Sequence, residues 1–464
     1  MIPFLVAEVK YILLKYYGIN GEINPLTGEV DYNFKVKTSN ASYLLKICRP
    51  DVSELEVQFQ IDLLSHIEKA DISIITPIVL ANIEGEKYFV INKNDDRYII
   101  RLHSWVEGTM LDNINPRTLS LYRSWGATCG MLSRALSTFD HPGAHRFDKW
   151  NPIESLHSKQ YLEYMDTESQ KELAIYFWGV FEDNVIPVVD QLRSSVNYSD
   201  AHEHNLLLNK DYEKIIGVID FGDAVYGPTI SELAIACAYA GMNVEDPIQA
   251  MSHVVEGYHD KYDLKENEVK ILLPLIMGRL MITVANAAFN IHKEPDNEYL
   301  QISAKPAWAL LEKLRNVNLR FAYYYFRSAC KWEAHPKRSS WDFWYKESHH
   351  LLKSPINLSD HREINIDLSV GSLDLGNNSN FESINMFERR INEILDDGNA
   401  SLGIGGYREV RPFYTTYAYK TEGNNGPRWR TMHLGTDYWT KSGEPVFTIA
   451  NGVIHSLQNN DAEC

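Results

Sequence analysis

The sequence predicts an α+β protein of two lobes, a small β-rich one followed by a mostly helical one, with a linker and a partial all-β module behind them. Short apolar runs bounded by turn residues are concentrated in residues 21–106. From Arg117 onward the apolar spacing becomes helical, and it stays so except around two short strands. Those strands, Leu206-Leu207-Leu208 and residues 215–219, each adjoin a polar loop. The implied division is 1–106 for the small lobe, 107–335 for the large lobe, 336–405 for the linker and 406–464 for the β module.

Residues 6–17 read as an amphipathic helix, since Glu8 and Lys10 break its apolar run and no basic leader or cleavage site accompanies it. Strands follow at 21–26, 33–38 and 42–47, with Asn40-Ala41 near a hairpin turn. Residues 54–68 place Leu55, Phe59, Leu63 and Ile67 on one helical stripe. Strands at 79–82, 87–92 and 98–106 complete the small lobe. Helical text then covers 118–139, 158–165 and 169–196, and resumes over 229–262 and 266–326. The longest apolar run, 271–289, is interrupted by Pro274, Gly278, Arg279 and Asn286, which favours a buried helix over a membrane span. Residues 354–400 are rich in Asn, Asp and Ser, and read as an extended linker with one short helix near 387–395. Strand-like text follows at 413–419.

Composition narrows the function classes. A chain of 464 residues can hold two or three cores, and 44% hydrophobic with 23% charged residues is ordinary for soluble protein. The net charge of −17 argues against nucleic acid or an anionic membrane as partner. It fits, loosely, a cationic amine-bearing substrate. Five scattered cysteines without a Cys-x-x-Cys pair point to a reduced, cytoplasmic protein.

The chemistry lies in Asn197-Tyr-Ser-Asp-Ala-His-Glu-His-Asn-Leu-Leu-Leu208 and Val218-Ile-Asp-Phe-Gly-Asp223. An aspartate five residues before an asparagine, then a strand, a loop and a second strand ending in Asp-Phe-Gly, is the order of a kinase catalytic loop and metal loop. Asp200 would accept the proton of the attacking hydroxyl, while Asn205 and Asp220 would hold magnesium. A plain hairpin with polar turn caps would also place such residues, but not both motifs in this order. Lys46 lies inside an apolar strand, where its ammonium is costly unless it meets an anion such as nucleotide phosphate. Glu56 and Gln60, four apart on one helical face, can each face that lysine, and charge favours Glu56. Gly28, between the first two strands, would let the chain pass over phosphates or simply serve a hairpin turn. The base of the nucleotide would be read near residues 102–106.

On Asp200-Ala-His-Glu-His-Asn205, Ile219-Asp220-Phe-Gly-Asp223 and Pro228, the chain resembles the aminoglycoside phosphotransferase/choline kinase superfamily. Gly28-Glu-Val-Asp-Tyr-Asn-Phe34, Tyr43-Leu-Leu-Lys-Ile47 and the run from Phe139-Asp-His-Pro to Trp150-Asn151 are similar to its hydroxylysine kinase branch. The likeness spans about residues 1–330. It implies a two-lobed protein-kinase-like fold and a small-molecule kinase using magnesium and either ATP or GTP. The acceptor would be a hydroxyl on an amine-bearing metabolite, a hydroxylysine-like amino acid or an amino alcohol. An aminoglycoside-type antibiotic phosphotransferase and a catalytically degenerate nucleotide-binding module are the alternatives. Tyr198-Ser199 stands where the family usually carries His-Gly or His-Asn, the histidine buttressing the loop.

A second block, Thr431-Met-His-Leu-Gly-Thr-Asp437 and then Gly443-Glu-Pro-Val-Phe-Thr-Ile-Ala-Asn-Gly-Val-Ile454, resembles the start of a lysostaphin-type zinc endopeptidase. His433 and Asp437 would be vestigial zinc ligands. Tetrahedral zinc needs a third protein ligand, which that family takes from a later His-x-His, and His455 stands alone here. The block therefore reads as an incomplete module in which zinc is not expected. Fusions of this kind continue into a class III aminotransferase-like domain, expected in a longer parent.

Overall fold

The computed structural model describes residues 4–26, 28, 31–70, 72–294, 303–381, 383–415, 420–421, 428–429 and 431–454. The chain divides into two compact units, Met1–Pro336 and Lys337–Cys464.

The first unit opens with α1 (Val6–Tyr17), ended by Gly18 in the left-handed region at φ 66°. A six-stranded sheet follows: β1 (Glu22–Leu26), β2 (Tyr32–Lys37), β3 (Ser42–Ile47), β4 (Val79–Leu80), β5 (Phe89–Lys93) and β6 (Asp96–Ser104). Its order is β1-β2-β3-β6, and β4 and β5 pair with β6 as well. The helix α2 (Glu54–Lys69) interrupts the strand series and starts in a capping box of Ser53 and Glu56.

Strand parity explains the small lobe. Phe34, Val36, Leu45, Ile47, Tyr98, Ile100 and Leu102 form one buried cluster with Val9, Ile12 and Leu13 of α1. The residues between them, Asn33, Lys35, Lys46, Arg101 and His103, therefore belong to the opposite face. Antiparallel register sets Lys46 between Asn33 and Arg101. Side-chain alternation alone thus gathers cations on one face.

The large lobe contains β7 (Thr109–Met110), α3 (Leu119–Leu136), α4 (Glu168–Asn184), β8 (Ser194–Asn197), β9 (Leu206–Leu208), β10 (Ile215–Val218), β11 (Val225–Pro228), α5 (Ile230–Ala240), α6 (Pro247–His259), α7 (Glu266–Lys293), α8 (Ala304–Arg315) and α9 (Leu319–Ala329). Helices α3 and α6 meet through glycines on both sides. A Cβ on Gly126 would lie 1.8 Å from the Val254 carbonyl oxygen, and one on Gly257 would lie 1.9 Å from that of Arg123. α7 is long and apolar enough to cross a membrane by composition, but 94% of its apolar window is buried inside the protein.

Several boundaries differ from the sequence expectation. The helix expected over 169–196 stops at Asn184; a 3₁₀ turn containing Pro187 follows, and Ser194–Asn197 is a strand paired with β11. Residues 158–164 belong to a 3₁₀ run, Pro152–Tyr164, which Met165 ends in an extended conformation. The 229–262 stretch is divided by the turn before Asp246, which caps α6 with Pro247 at its start. The 266–326 stretch is likewise divided, and 295–302 lie outside the described residues.

The second unit contains α10 (Arg338–Ser348), β12 (Glu363–Ile366), α11 (Ile384–Asp397), β13 (Leu402–Gly405), β14 (Glu409–Val410), β15 (Lys420–Thr421), β16 (Arg428–Trp429), β17 (Met432–His433) and β18 (Tyr438–Trp439). The expected linker over 336–405 is corrected here. β12 pairs in parallel with β13, and β13 pairs with β18, so residues from the supposed linker and from the supposed β module share one sheet. Ile366, Leu368, Leu375, Ile391 and Leu395 bury together as its core. Their spacing is too irregular for periodicity to reveal, because loops supply part of the core. Of the strand expected at 413–419, Pro412–Thr415 is a 3₁₀ turn and 416–419 lie outside the described residues.

Candidate functional site

The loop between β8 and β9 carries Asp200 and Asn205. The Asn205 Nδ2 donates to the Asp200 carboxylate at 2.5 Å and to the Asp200 carbonyl at 3.2 Å. His202 Nε2 lies 3.4 Å from the other Asp200 oxygen. Burial opposes a proton on His202, but the Asp200 and Glu203 carboxylates together raise the histidine above its ordinary value.

Three buried struts fix this loop. The Trp125 indole N–H donates to the Ala201 carbonyl at 3.0 Å. Ser199, held at φ 67°, donates its backbone N–H to Glu232 at 2.8 Å. Tyr198 donates its hydroxyl to the Ile219 carbonyl at 2.5 Å and lays its ring against Phe221, centroids 4.8 Å apart. Tyr198 is fully buried, so it ties the loop of Asp200 directly to the strand end that precedes Asp220. Glu232 is raised to about 7 by burial, against the lowering pull of the backbone N–H groups of Ser199 and Tyr198.

Asp220 also takes a left-handed backbone, φ 58°, which turns its side chain out of the strand. Its carboxylate lies 3.8 Å from Lys46 and stays half exposed. The lysine, foremost, holds it below the ordinary carboxylate range. Lys46 also meets Asp31 at 3.3 Å, and Arg101 reaches the same Asp31 oxygen at 3.5 Å. Arg101 is 2% exposed, donates to Gln60 at 2.5 Å, and keeps buried Nε and Nη1 atoms with no protein acceptor.

The structure thus brings Asp200 and Asn205 together, and Lys46 and Asp220 together. It does not bring Glu56 to Lys46. Glu56 is spent on the Ser53 backbone N–H at 2.9 Å, closing the capping box, while Gln60 bonds Arg101. Charge was the wrong guide, because the first turn of α2 needs its carboxylate for unpaired N–H groups. Gly28 sits where a Cβ would fall 2.5 Å from Asn33 Nδ2 and 2.7 Å from the Asp31 carbonyl. A side chain there would push on the segment that delivers Asp31. Of the expected base-reading segment, the Ser104 and Trp105 N–H groups are engaged by the Ile78 and Ser42 carbonyls.

Asp31 and Arg101 were missed from sequence, whereas Glu232 reads there as a carboxylate opening the next helix and suited to its dipole. Arg101 had a readable signal, an arginine inside an otherwise apolar strand. Asp31 had none, lying in a hairpin.

In the second unit, His433 Nε2 lies 3.4 Å from Asp437, and its Nδ1 bonds the Tyr414 hydroxyl at 2.7 Å. The remaining Asp437 oxygen receives Arg411 at 2.6 Å, and Arg411 also bonds Glu409 at 2.6 Å. The Arg411 guanidinium thus engages one of the two expected zinc ligands, and no metal-binding cluster of three ligands occurs among the described residues.

Comparison with known proteins extends the geometry. The chain is 25% identical over 339 residues to hydroxylysine kinase of Mus musculus, covering 67% of this chain and 89% of that protein. It is 26% identical over 322 residues to hydroxylysine kinase of Danio rerio, covering 66% and 90%. Among solved structures, a microcompartment-associated aminopropanol kinase superposes with a TM-score of 0.53 at 16% identity, over 70% of this chain and 98% of that one. An amicoumacin kinase superposes with a TM-score of 0.52 at 16% identity, over 67% and 94%. These two establish the kinase-like fold. Residues 22–263 match the model of the phosphotransferase enzyme family. The chain belongs to that family and is a small-molecule kinase that phosphorylates a hydroxyl group.

Proposed function

We propose that this kinase transfers the γ-phosphoryl group of ATP or GTP to a hydroxyl of an amine-bearing metabolite, a hydroxylysine-like amino acid or an amino alcohol. The observation that carries the reading is the pairing of Asp200 with Asn205 at 2.5 Å, with Tyr198 tying that loop to the strand end before Asp220. Hydroxylysine kinases as relatives support the acceptor class.

Asp200 would orient the acceptor hydroxyl and take its proton as the oxygen attacks phosphorus. Lys46 would bind the phosphates, joined by Arg101 across the register, once phosphate displaces Asp31 from both cations. The donors Asn205 and Asp220 fit magnesium, which takes few protein ligands and keeps water and phosphate for the rest. Asn205 commits its amide nitrogen to Asp200, leaving the amide oxygen for the cation, and Asp220 is held ionised and open. Magnesium bound there would supply charge neutralisation on the phosphates. Tyr198, fully buried and hydrogen-bonded, speaks for an intact loop and against a degenerate module. Buried free thiols at Cys48, Cys129, Cys237 and Cys330 support a reducing, cytoplasmic setting.

The test is nucleotide turnover with magnesium, offering ATP and GTP against a panel of hydroxy-amines and aminoglycosides, with Asp200→Asn as control. Turnover stimulated by one hydroxy-amine and abolished in Asp200→Asn is expected. Stimulation by aminoglycosides alone, or nucleotide binding without turnover, would overturn the reading.

A further inference from the structure

Beside the catalytic loop stand two charges that the fold leaves uncompensated. Arg279 of α7 is 2% exposed, and among the described residues no carboxylate pairs with it. Its Nη1 donates to the Trp150 carbonyl at 2.9 Å and its Nη2 to the Tyr239 hydroxyl at 3.1 Å, while the buried Nε has no protein acceptor. The guanidinium lies 5.1 Å from the Trp150 ring and 5.6 Å from the Tyr239 ring, so aromatic faces flank it. Tyr239 leads back to the reaction centre: its ring is 5.4 Å from that of His202, which touches Asp200.

Asp223 is the opposite case. It follows Phe221 and Gly222 on the metal loop and is partly buried. Among the described residues its carboxylate has neither a hydrogen bond nor an ion pair. Burial foremost, and then the carboxylates of Asp200, Asp148 and Asp220, push its carboxyl up to about 7, with Arg279 the opposing charge. Asp148 is itself satisfied by Arg146 at 3.0 Å, which also holds the Gly222 and Ala224 carbonyls at 3.0 Å and so fixes the loop around Asp223. Arg279 and Asp223 sense each other electrostatically yet do not join as an ion pair.

A buried cation without a counter-ion is unfavourable in an otherwise complete protein, and so is an unpaired carboxylate among carboxylates. Both are relieved by one ligand that carries a carboxylate and an ammonium. We propose that Arg279 and Asp223 are the specificity residues of the acceptor site, Arg279 receiving a substrate carboxylate and Asp223 a substrate ammonium, so that a zwitterionic hydroxy amino acid is preferred over an amino alcohol. The inference rests on the kinase reading above and narrows its acceptor. Trp150 and Tyr239 fix the guanidinium, and Asp200 receives the hydroxyl.

The experiment compares kcat/KM of the wild-type enzyme for a hydroxy amino acid, its carboxamide and the amino alcohol lacking the carboxylate, with Arg279→Gln and Asp223→Asn assayed on the same three acceptors. Loss of one charged hydrogen-bonding partner predicts a preference for the free acid on the order of thirtyfold, expressed mainly in KM. Arg279→Gln is expected to bring that ratio towards one, a change that general loosening of the fold would not produce. Asp223→Asn is expected to raise KM for every amine acceptor. Should Arg279→Gln fail to fold, the carboxamide comparison on wild-type protein decides alone. Equal use of acid, carboxamide and amino alcohol overturns this assignment and leaves the kinase reading standing. Turnover by none of the three, with aminoglycosides active, overturns both.

Discussion

Tyr198→Phe removes one hydroxyl and tests how the two catalytic loops are held together. The hydroxyl donates to the Ile219 carbonyl at 2.5 Å, with Tyr198 fully buried and Ile219 partly so. The ring and its packing on Phe221 remain. The variant therefore leaves a partly buried carbonyl without that donor, a penalty of about 1–3 kcal/mol. For a lobe of this size each kcal/mol moves the midpoint by about 2–4 °C, so the melting temperature should fall by roughly 2–12 °C. Activity should suffer beyond stability, because Ile219 immediately precedes Asp220 and Tyr198 lies two residues before Asp200. A slip of about 1 Å between reacting groups costs up to about a hundredfold, so a fall in kcat of about tenfold or more is expected, well below the melting point. Differential scanning fluorimetry and steady-state turnover at saturating nucleotide measure the two effects. An unchanged melting temperature with unchanged kcat would refute the strut. A stability loss with wild-type kcat would show that the bond holds the fold but not the site.

The other predictions address separate parts of the protein. Asp31→Asn should lower the KM for nucleotide about fivefold, since a partly buried partner worth about 1 kcal/mol no longer competes with phosphate for Lys46; a rise in KM would instead make Asp31 an orienting group. Glu232 is raised to about 7 in the fold, so the folded state holds its proton more tightly than the unfolded chain does. Its contribution to stability is thus full below the unfolded value and is lost as pH climbs through about 7. Glu232→Gln should accordingly be more stable than wild type at alkaline pH and converge with it in acid; melting curves showing a pH-independent difference would reject this. Gly126→Ala drives a methyl to within 1.8 Å of the Val254 carbonyl and should cost about 3 kcal/mol or more, seen as a lowered urea midpoint. A full-strength transition would show that α3 and α6 can separate freely. Chelation should leave the melting of the intact protein unchanged, because Arg411 occupies Asp437 in the second unit; tightly bound zinc in the purified protein would contradict that.

What could be read from sequence follows a physical division. The small lobe was legible because period-two alternation decides which side of each strand is buried, and that alternation alone sets Lys46 on the face away from α1. The two loops carrying Asp200, Asn205 and Asp220 were legible as loops between short strands because their residues follow short, fixed spacings. The partner of Lys46 was not legible. It comes from Asp31 across the sheet, while Glu56, the better candidate by charge, is consumed by its own helix terminus. The extent of the second unit was also hidden, since Leu368 and Leu375 enter its core from irregular segments without a period. Chain breaks inside long helical text, such as that before Ser194, depended on one proline and on pairing with β11 thirty residues away.

The site's design lies in the contrast between its rigid rear and its open front. Two non-glycine residues, Ser199 and Asp220, take left-handed backbones, each at a cost of about 1–2 kcal/mol. Such conformations persist only where surrounding bonds over-determine them. Glu232 holds the Ser199 N–H, Tyr198 holds the Ile219 carbonyl beside Asp220, and Trp125 holds Ala201 after Asp200. Every one of these partners is buried, whereas the Asp220 carboxylate they aim is half exposed. The groups that fix the geometry are thus largely kept from water, while the Asp220 carboxylate, the proposed metal ligand, is left within its reach. For a reaction governed by positioning more than by covalent participation, that separation follows from the chemistry. It also explains why tyrosine serves at position 198. The loop requires a buried donor long enough to reach the Ile219 carbonyl, and a phenol supplies it without introducing a charge that titrates near neutrality.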